Sequence, residues 1–327
     1  MNVLNLETWF KKHQRDLPFR HTQDPYTIWV SEVMLQQTQM ETVLPYFRRF
    51  MERFPTLQSL ATSSLETVLT LVQGMGYYRR FKLLHQGALY ILEQHQGKFP
   101  TTYEDVSKIP GVGEYTAGAI MSIAYNQPYA ATDGNVLRVL SRLYGIEENI
   151  ALPKEKKQIH ILHQQNVEKS TPRIYTQAVM ELGALICRPS QPKCKQCPLQ
   201  QECYAYLNQK TDLLPKIERK QTMEERFFQT FWLVRDGKLA FVQSQGPLLE
   251  GMYLLPQIEK NTFSHSSKEL LFRHQFSHQR WHMHLFEVNE IQPQKLQWIP
   301  LDKLDTIPIP QAHKKIVKHM LLNQKSV

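Results

Sequence analysis

The segment Ile109–Ile120, IPGVGEYTAGAI, indicates the fold of most of the chain. Its Pro-Gly-x-Gly turn lies between two segments with helical apolar spacing, so it predicts a short hairpin that joins two helices. Such a turn presents backbone N–H groups beside a helix N-terminus, an arrangement that suits a phosphate. These residues alone leave open whether that phosphate belongs to a nucleotide or a nucleic acid, or is absent. A nucleotide-binding ATPase is disfavoured, because the Gly-Lys-Ser/Thr of a phosphate-binding loop is missing.

The length and composition are those of a globular protein with two domains. The chain has 327 residues, of which 42% are hydrophobic and 21% charged. Its net charge of +9 permits a polyanionic partner without identifying one. The first twenty residues contain no apolar signal-peptide core, so we expect a cytoplasmic, intracellular protein, on the nucleoid if the source is bacterial.

The pattern of apolar residues changes along the chain. Up to about Cys203 it is mostly helical, and a polar, charged stretch at 208–226 then indicates a linker. After it, alternating apolar residues around Asp236-Gly237 predict a β-hairpin. The predicted helices are Ile28–Gln39, Arg80–Gln94, Thr116–Tyr125, Gly134–Leu143, Ile174–Ile186 and Gln311–Leu322, and the predicted strands are Phe227–Val234, Lys238–Gln243 and Trp281–Val288.

All four cysteines, Cys187, Cys194, Cys197 and Cys203, lie in one short segment. In an intracellular protein such a group indicates metal binding rather than disulfides. The spacing Cys-x6-Cys-x2-Cys-x5-Cys suits a cubane iron–sulfur cluster or a structural zinc ion. It favours the iron–sulfur cluster, because zinc ribbons usually pair two Cys-x2-Cys knuckles and only one is present.

The order of these motifs resembles a known superfamily. The hairpin IPGVGEYTAG, then ATDGNVLRVL, then the cysteine segment are similar to the endonuclease III superfamily of DNA glycosylases. Within it, SEVMLQQTQ (Ser31–Gln39), TDGNV (Thr132–Val136) and FSH (Phe276–His278) resemble the MutY-type adenine DNA glycosylases. The resemblance runs from about Leu17 to about His282 and is weakest in the C-terminal part.

The resemblance implies a multidomain fold. An all-α helix–hairpin–helix glycosylase domain would span 1–207, with its hairpin at about 102–125 in a six-helix barrel and an iron–sulfur cluster loop at 187–203. After the linker at 208–226, an α+β MutT (Nudix)-like domain would span 227–327. The implied cofactor is one [4Fe-4S] cluster. The implied partner is double-stranded DNA with adenine opposite 8-oxoguanine or guanine, bound by a monomer and without a membrane.

The implied reaction is removal of that adenine in base excision repair, after the base has been flipped from the duplex. Glu32 lies in the apolar segment WVSEVML, where burial would raise the pKa of its carboxyl group. By resemblance it is the general acid that protonates adenine at N7. Asp133 matches the second carboxylate, which stabilises the oxocarbenium ion or attacks C1′. Asp133 also precedes a helical run, and as an N-cap it would stay ionised.

Tyr115 predicts which reaction follows base removal. Bifunctional members of the superfamily have a lysine here, which forms a Schiff base with the sugar and cleaves the strand. Tyrosine cannot form that imine, so the resemblance implies a monofunctional glycosylase that leaves an abasic site. Asn135 resembles an active-site hydrogen-bonding residue of the family.

Two rival interpretations remain. An endonuclease III-like glycosylase/AP lyase is disfavoured by Tyr115, Glu32 and the FSH motif. A non-catalytic DNA-binding iron–sulfur protein is disfavoured by the paired carboxyl groups of Glu32 and Asp133.

Further binding residues are assigned by resemblance alone. They would wedge into the duplex (Gln37, Tyr77), line the adenine pocket (Arg20, Leu35, Gln177) and contact the DNA backbone (Gly111, Gly113). One departure is Phe19, because the family usually has tryptophan at this position, and phenylalanine lacks its indole N–H.

In the C-terminal domain, Phe276 would intercalate, and Ser277 and His278 would hydrogen-bond 8-oxoguanine. The catalytic Nudix signature is missing from this part of the sequence, so we expect recognition rather than pyrophosphate hydrolysis. The nearby His274 and His282 leave a metal site as a less favoured alternative.

Overall fold

The computed structural model describes residues 1–218, 223–246, 248–260, 270–276, 278–291 and 295–324. They form two compact units, described separately below. The first comprises Met1–Gln36 and Gly87–Arg219, and the second comprises Gln37–Gln86 and Lys220–Val327. In the ranges given, no helix is long and apolar enough to cross a membrane.

Helices dominate up to Leu207, and the strands follow. The helices are α1 (Val3–His13), α2 (Pro25–Leu35), α3 (Met40–Arg53), α4 (Leu57–Ala61), α5 (Leu65–Leu71), α6 (Arg79–Gln94), α7 (Tyr103–Val106), α8 (Glu114–Ala119), α9 (Gly134–Tyr144), α10 (Pro153–Val167), α11 (Pro172–Leu185), α12 (Tyr204–Leu207) and α13 (Gln311–Gln324). The strands are β1 (Glu224–Trp232), β2 (Val234–Arg235), β3 (Lys238–Gln243), β4 (Tyr253–Leu254), β5 (Gln257–Lys260), β6 (Leu270–Gln275), β7 (Gln279–Glu287) and β8 (Gln297–Pro300).

The core of the first unit lies between α1, α9, α10 and α11. Helix α9 places Val136 and Leu140 on one face, where they meet Tyr175 and Val179 of α11, all fully or almost fully buried. The helix begins at Asp133, whose side chain caps it, and ends at Gly145 in the left-handed conformation (φ 69°). This buried face fixes the N-terminus of α9 relative to the other helices of the unit.

The predicted helical hairpin is present as α7, a tight turn and α8. Gly111 supplies the left-handed turn residue (φ 80°), and the Val112 N–H donates to the Ile109 carbonyl at 3.0 Å. The expected helix Thr116–Tyr125 instead consists of α8 and a π-helical turn at Ile120–Ala124. Gly118 in α8 lies so close to the Ala130 backbone that there is no space for a Cβ atom.

Two sequence-based boundaries differ from the structure. Helix α2 ends at Leu35 rather than Gln39, because Gln37 has a left-handed backbone (φ 56°) that a helix cannot continue through. Part of the predicted linker also packs on the first unit: Leu214 is buried, and its carbonyl accepts a 2.6 Å hydrogen bond from Arg142 Nε. Strand β1 begins at Glu224, three residues inside that predicted linker.

The second unit contains two small sheets. In one the strand order is β5-β1-β7-β6, with β1 and β7 parallel and the outer pairs antiparallel. In the other, β3 pairs with β2, β4 and β8, all antiparallel. The two-residue loop Asp236-Gly237 has left-handed φ at both positions, as the hairpin prediction requires.

The second unit also includes helices that the sequence analysis placed in the N-terminal domain. Gln73, which follows α5, donates through Nε2 to the carbonyl of Ile309 at 2.7 Å and accepts from Lys314 Nζ at 2.9 Å. Lys82 and Glu250 form an ion pair. The helical segment 37–86 therefore packs with C-terminal residues, and a division of the chain at residue 207 does not describe this packing.

We expect Gly118→Ala to lower the free energy of unfolding by roughly 1–3 kcal/mol, the usual cost of overpacking. The added methyl group would lie 2.8 Å from the Ala130 carbonyl carbon, and both backbones must shift to relieve the clash. Denaturant unfolding followed by circular dichroism measures the change. Gly134→Ala is the matched control, since a Cβ atom there meets open space. Equal stabilities of the two variants would contradict the close approach.

Candidate active site

Glu32 is a buried carboxyl group in the first unit. Helix α2 surrounds it with apolar residues, its exposure is only 7%, and the Tyr115 hydroxyl donates to Glu32 Oε2 at 2.5 Å. Burial raises its pKa to about 7, with a smaller contribution from the Asp133 charge, while the Tyr115 hydrogen bond and Arg20 act in the opposite direction. The side chain can therefore hold a proton near neutral pH.

Tyr115 lies in the first turn of α8, and the hairpin thus determines its position. Burial raises the pKa of its hydroxyl well above the ordinary value, and the nearby Glu32 and Asp133 charges add to the rise. The hydroxyl consequently remains protonated and acts as a donor. The structure brings Tyr115, Glu32 and Asp133 into one neighbourhood.

Asp133 is the N-cap of α9. Its Oδ1 accepts from the Val136 N–H and its Oδ2 from Asn135 Nδ2, both at 2.7 Å. The expectation that capping would keep its carboxyl group ionised omitted burial, which raises the pKa although these donors and Arg138 lower it. Two specific hydrogen bonds nevertheless hold the carboxyl group at a defined position.

Asn135 connects Asp133 to the cysteine segment. Arg138 Nη2 donates to Asn135 Oδ1 at 2.8 Å, and Arg138 Nε donates to the Cys187 carbonyl at 2.8 Å. One arginine thus bridges the amide that contacts Asp133 and the backbone of the first cysteine. The site and the cysteine segment are parts of one hydrogen-bonded structure.

The four cysteines line a single cavity. The cavity is partly open to solvent, and Cys187, Cys194, Cys197 and Cys203 all contribute to its wall. Arg142 lies against it, with Nη1 donating to Cys187 Sγ at 3.4 Å and to the Arg188 carbonyl at 2.6 Å. Over the described ranges, no three His, Cys, Asp or Glu side chains form a ready site for a single metal ion.

Arg20, predicted to line the adenine pocket, is held by a buried carboxylate. Its two terminal nitrogens donate to Glu181 at 2.9 and 2.7 Å, and Arg15 donates to the same carboxylate at 2.7 Å. Hydrogen bonds from Arg15 and Arg20 outweigh the effect of burial and lower the pKa of Glu181 to about 2. Arg20 therefore has a fixed orientation, and its positive charge lies close enough to Glu32 to lower the pKa of that carboxyl group.

The other predicted pocket residues of this unit are less closely linked to Glu32. Leu35 ends α2 and is half-buried. Gln177 Nε2 donates to the Arg173 carbonyl one helical turn earlier, at 3.0 Å. Gly111 lies in the hairpin turn, and Gly113 is the N-cap of α8 with an extended backbone.

The two predicted wedge residues, Gln37 and Tyr77, belong to the second unit. Both are non-glycine residues with left-handed backbone, φ 56° and 50°, and both are exposed. Arg80 links their turns: its N–H donates to the Tyr77 carbonyl at 3.1 Å, and its Nη2 donates to Thr38 Oγ1 at 2.8 Å. The two side chains thus project from turns that one residue ties together.

The FSH motif, which was predicted to read the lesion, lies between β6 and β7 of the second unit. The Phe276 ring packs edge-on against Trp281, with centroids 4.9 Å apart, and His278 is exposed. Ser277 lies outside the described residues. His274 and His282 point to opposite faces of the sheet, because the pairs His274–Trp281 and Arg273–His282 are adjacent in register. They cannot share a metal ion.

The sequence analysis missed three residues that organise these sites: Glu181, Arg138 and Arg80. A glutamate in the apolar helix MELGAL was a usable signal for Glu181, since an isolated buried carboxylate requires a cationic partner. Arg138 and Arg80 gave no such signal, because an arginine in a helical segment is usually solvated.

We expect Glu181→Gln to lower the free energy of unfolding by about 3 kcal/mol, because it leaves the two guanidinium groups without their carboxylate. Since the pKa of Glu181 is depressed, its stabilisation is present above the ordinary value of about 4.3 and is lost as the pH falls towards 2. The difference in the free energy of unfolding between the parent protein and Glu181→Gln should therefore become smaller as the pH is lowered. Chemical unfolding at several pH values tests this, with the exposed Glu148→Gln as a control that should change stability by less than about 0.5 kcal/mol.

Comparisons with known proteins identify the family of the chain. The family model described as HhH-GPD superfamily base excision DNA repair protein matches residues 30–169, and a NUDIX domain model matches residues 230–319. The chain is 33% identical over 307 residues to an adenine DNA glycosylase of Buchnera aphidicola subsp. Baizongia pistaciae, covering 89% of this chain and 83% of that protein. It is 42% identical over 230 residues to the adenine DNA glycosylase of Mus musculus, covering 68% of this chain and 45% of that protein. The chain therefore spans less than half the length of this mammalian relative.

Solved structures show the same fold in the helical part. A thermostable thymine-DNA glycosylase aligns with TM-score 0.58 at 27% identity and covers 63% of this chain and 95% of its own. A non-covalent endonuclease III–DNA complex aligns with TM-score 0.52 at 20% identity, covering 63% of this chain and 94% of its own, which supports the fold alone. From its motifs, its two domain matches and its curated relatives, the chain belongs to the MutY-type adenine DNA glycosylase family.

Proposed function

We propose that this protein is a monofunctional adenine DNA glycosylase that removes adenine paired with 8-oxoguanine, or with guanine, from duplex DNA. The observation that carries the proposal is the buried Glu32 carboxyl group, whose pKa of about 7 makes it a proton donor, beside Asp133. The relatives named adenine DNA glycosylase support the choice of base.

The chemistry follows from the two carboxyl groups. Glu32 donates its proton to N7 of a flipped adenine, which makes the base a better leaving group. Asp133, held by Val136 and Asn135, faces the positive charge that develops on the sugar as the N-glycosidic bond breaks. Water then completes the hydrolysis, and Tyr115 keeps Glu32 in position through its hydrogen bond.

The reaction stops at the abasic site. The group beside Glu32 is a tyrosine hydroxyl, which cannot form the imine that strand cleavage by a lyase requires. This feature favours a monofunctional glycosylase over the endonuclease III-like glycosylase/AP lyase. The paired carboxyl groups favour an enzyme over a non-catalytic DNA-binding protein.

The cysteine cavity fits one [4Fe-4S] cluster. Four free thiols line one space, and an arginine N–H points to one of the sulfur atoms, as is common around cluster ligands. A bound cluster would fix the segment from Cys187 to Cys203 by four iron–thiolate bonds. Broad visible absorption from iron–sulfide charge transfer distinguishes it from zinc, which has none.

The remaining predicted contacts complete a DNA-binding role for a monomer. Gly111 and Gly113 present backbone N–H groups to a DNA phosphate. Gln37 and Tyr77 fill the space that the flipped adenine leaves. Phe276, Ser277 and His278 read the opposite base.

The central experiment is a single-turnover assay on duplexes with adenine opposite 8-oxoguanine, adenine opposite guanine, or thymine glycol. We expect strand breaks only after alkali and only with the adenine duplexes. Asp133→Asn should abolish excision and leave mispair binding largely intact, because it removes the charge that stabilises the cation but keeps the shape. A break without alkali that borohydride traps would instead establish the lyase, and near-normal turnover of Asp133→Asn would refute its role.

The excision rate should depend on the protonation of Glu32. Since burial favours the neutral acid, the active proton is present below pH 7 and lost as the pH rises through about 7. Under single-turnover conditions with saturating enzyme, we expect the rate to fall roughly tenfold per pH unit above that value. Glu32→Gln, which has no proton to lose, should give a slow and flat profile. A parent profile that stays flat up to pH 9 would contradict the role of Glu32 as the acid.

A further inference from the structure

Helix α10 contacts both turns that carry catalytic residues, through His160. His160 and His163 are three residues apart in α10 and so share a face. The Thr132 hydroxyl lies 2.9 Å from Nδ1 of each ring. On its other side, His160 Nε2 lies 3.3 Å from Glu114 Oε1.

The two residues that His160 contacts are the immediate neighbours of the predicted catalytic groups. Thr132 precedes Asp133, and Glu114 precedes Tyr115. We propose that His160 is a positioning residue that bridges the Asp133 turn and the Tyr115 turn. The inference rests on the proposed function, because it assigns a role within that reaction.

The segment before Asp133 depends on α10 for its position. No helix or strand includes residues 126–132, and Gln164 of α10 satisfies two of their backbone groups. Its Oε1 accepts from the Ala130 N–H at 2.8 Å, and its Nε2 donates to the Pro128 carbonyl at 2.6 Å. Thr132 adds a third connection through the two histidines. The direction in which this segment enters α9 is therefore set largely by one helix.

The number of available protons limits which groups can donate and which can accept in the hydrogen bonds between His163, Thr132 and His160. Burial, and the proximity of His160, lower the pKa of His163 to about 3, so this ring is neutral and has a single N–H. The Thr132 hydroxyl has one proton and therefore donates to one ring while it accepts from the other. If His163 Nδ1–H donates to Thr132, then Thr132 donates to His160 Nδ1, and the N–H of His160 is on Nε2, 3.3 Å from Glu114 Oε1. Both Thr132 contacts are then normal hydrogen bonds, and His163 Nε2 is one of the buried atoms that have no hydrogen-bond partner among the described residues.

A DNA-phosphate contact is the competing role for His160, since its side chain is 29% exposed and near the hairpin. The two roles differ in what they affect. A phosphate contact would strengthen binding and its dependence on salt. A positioning residue would alter the rate of the bound complex, because a small displacement of a catalytic group is costly.

The test measures the single-turnover rate at saturating enzyme and the dissociation constant for a duplex with adenine opposite 8-oxoguanine. We expect His160→Ala to lower the rate roughly tenfold and to leave the dissociation constant within about twofold. His160→Asn, whose amide can replace Nδ1 toward Thr132 but not Nε2 toward Glu114, should recover only part of the rate. Gln158→Ala, an exposed change on the same helix, is the matched control and should match the parent. Melting temperatures check that the variants fold.

A double-mutant cycle then isolates the bridge. Thr132→Ser keeps the hydroxyl group and should stay near the parent rate, while Thr132→Val removes it and should resemble His160→Ala. The His160→Ala/Thr132→Val double variant should lose no more than Thr132→Val alone, because that change already breaks the connection between Thr132 and His160. The inference would be overturned if the rate losses of the two single variants multiplied in the double variant. It would also be overturned if His160→Ala changed only the dissociation constant or kept the rate of the parent protein. A parent protein that is inactive on every adenine duplex would refute the proposed function itself, which separates the two failures.

Discussion

The burial of one carboxyl group, that of Glu32, imposes the main constraint on the first unit. A carboxyl group in an apolar helix is costly unless it remains protonated or finds a partner, and here both occur. Its pKa rises to about 7, and the Tyr115 hydroxyl donates to it at 2.5 Å. To bring that hydroxyl to α2, the chain needs the tight hairpin at Gly111 and the close approach of Gly118 to the Ala130 backbone. The geometry of the hairpin is thus linked directly to the protonation of one side chain.

Around this pair, fixed cations and hydrogen-bonded amides determine the remaining electrostatics. Glu181 holds Arg20 where its charge opposes the rise in the pKa of Glu32. Arg138 supports Asn135 on one side and the Cys187 carbonyl on the other. These residues need not touch a substrate to matter for the proposed reaction, because each limits where a neighbouring group can lie. The site is therefore wider than the two carboxyl groups that give it its chemistry.

Local signals in the sequence predicted most of the helices and strands. The features that the sequence did not predict depend on contacts between residues far apart in the chain. The glycines of the hairpin, the Asp236-Gly237 turn and the apolar setting of Glu32 act within a few residues, so their predictions correspond to α7–α8, β2–β3 and a raised pKa. The two arginine partners of Glu181 are 161 and 166 residues away, a distance that no periodicity reveals. Likewise, nothing near Gln73 indicated that it would bind the Ile309 carbonyl and place helices 37–86 with C-terminal residues. The raised pKa of Asp133 was not predicted, because capping is visible in the sequence and burial depth is not.

At Gln37 and Tyr77, which have a left-handed backbone, the residue that would be best for stability differs from the residue that the proposed function requires. Glycine adopts that conformation without the steric cost that a side chain incurs, so glycine at either position would relax the turn. In the proposed function, however, the amide and the phenol ring are the groups that enter the duplex. Selection for a more stable fold alone would therefore remove the groups needed to hold DNA open. An engineering effort that ranks substitutions by folding energy would favour glycine at these turns. Under the proposed function, the resulting protein would be more stable and would bind its DNA substrate less tightly.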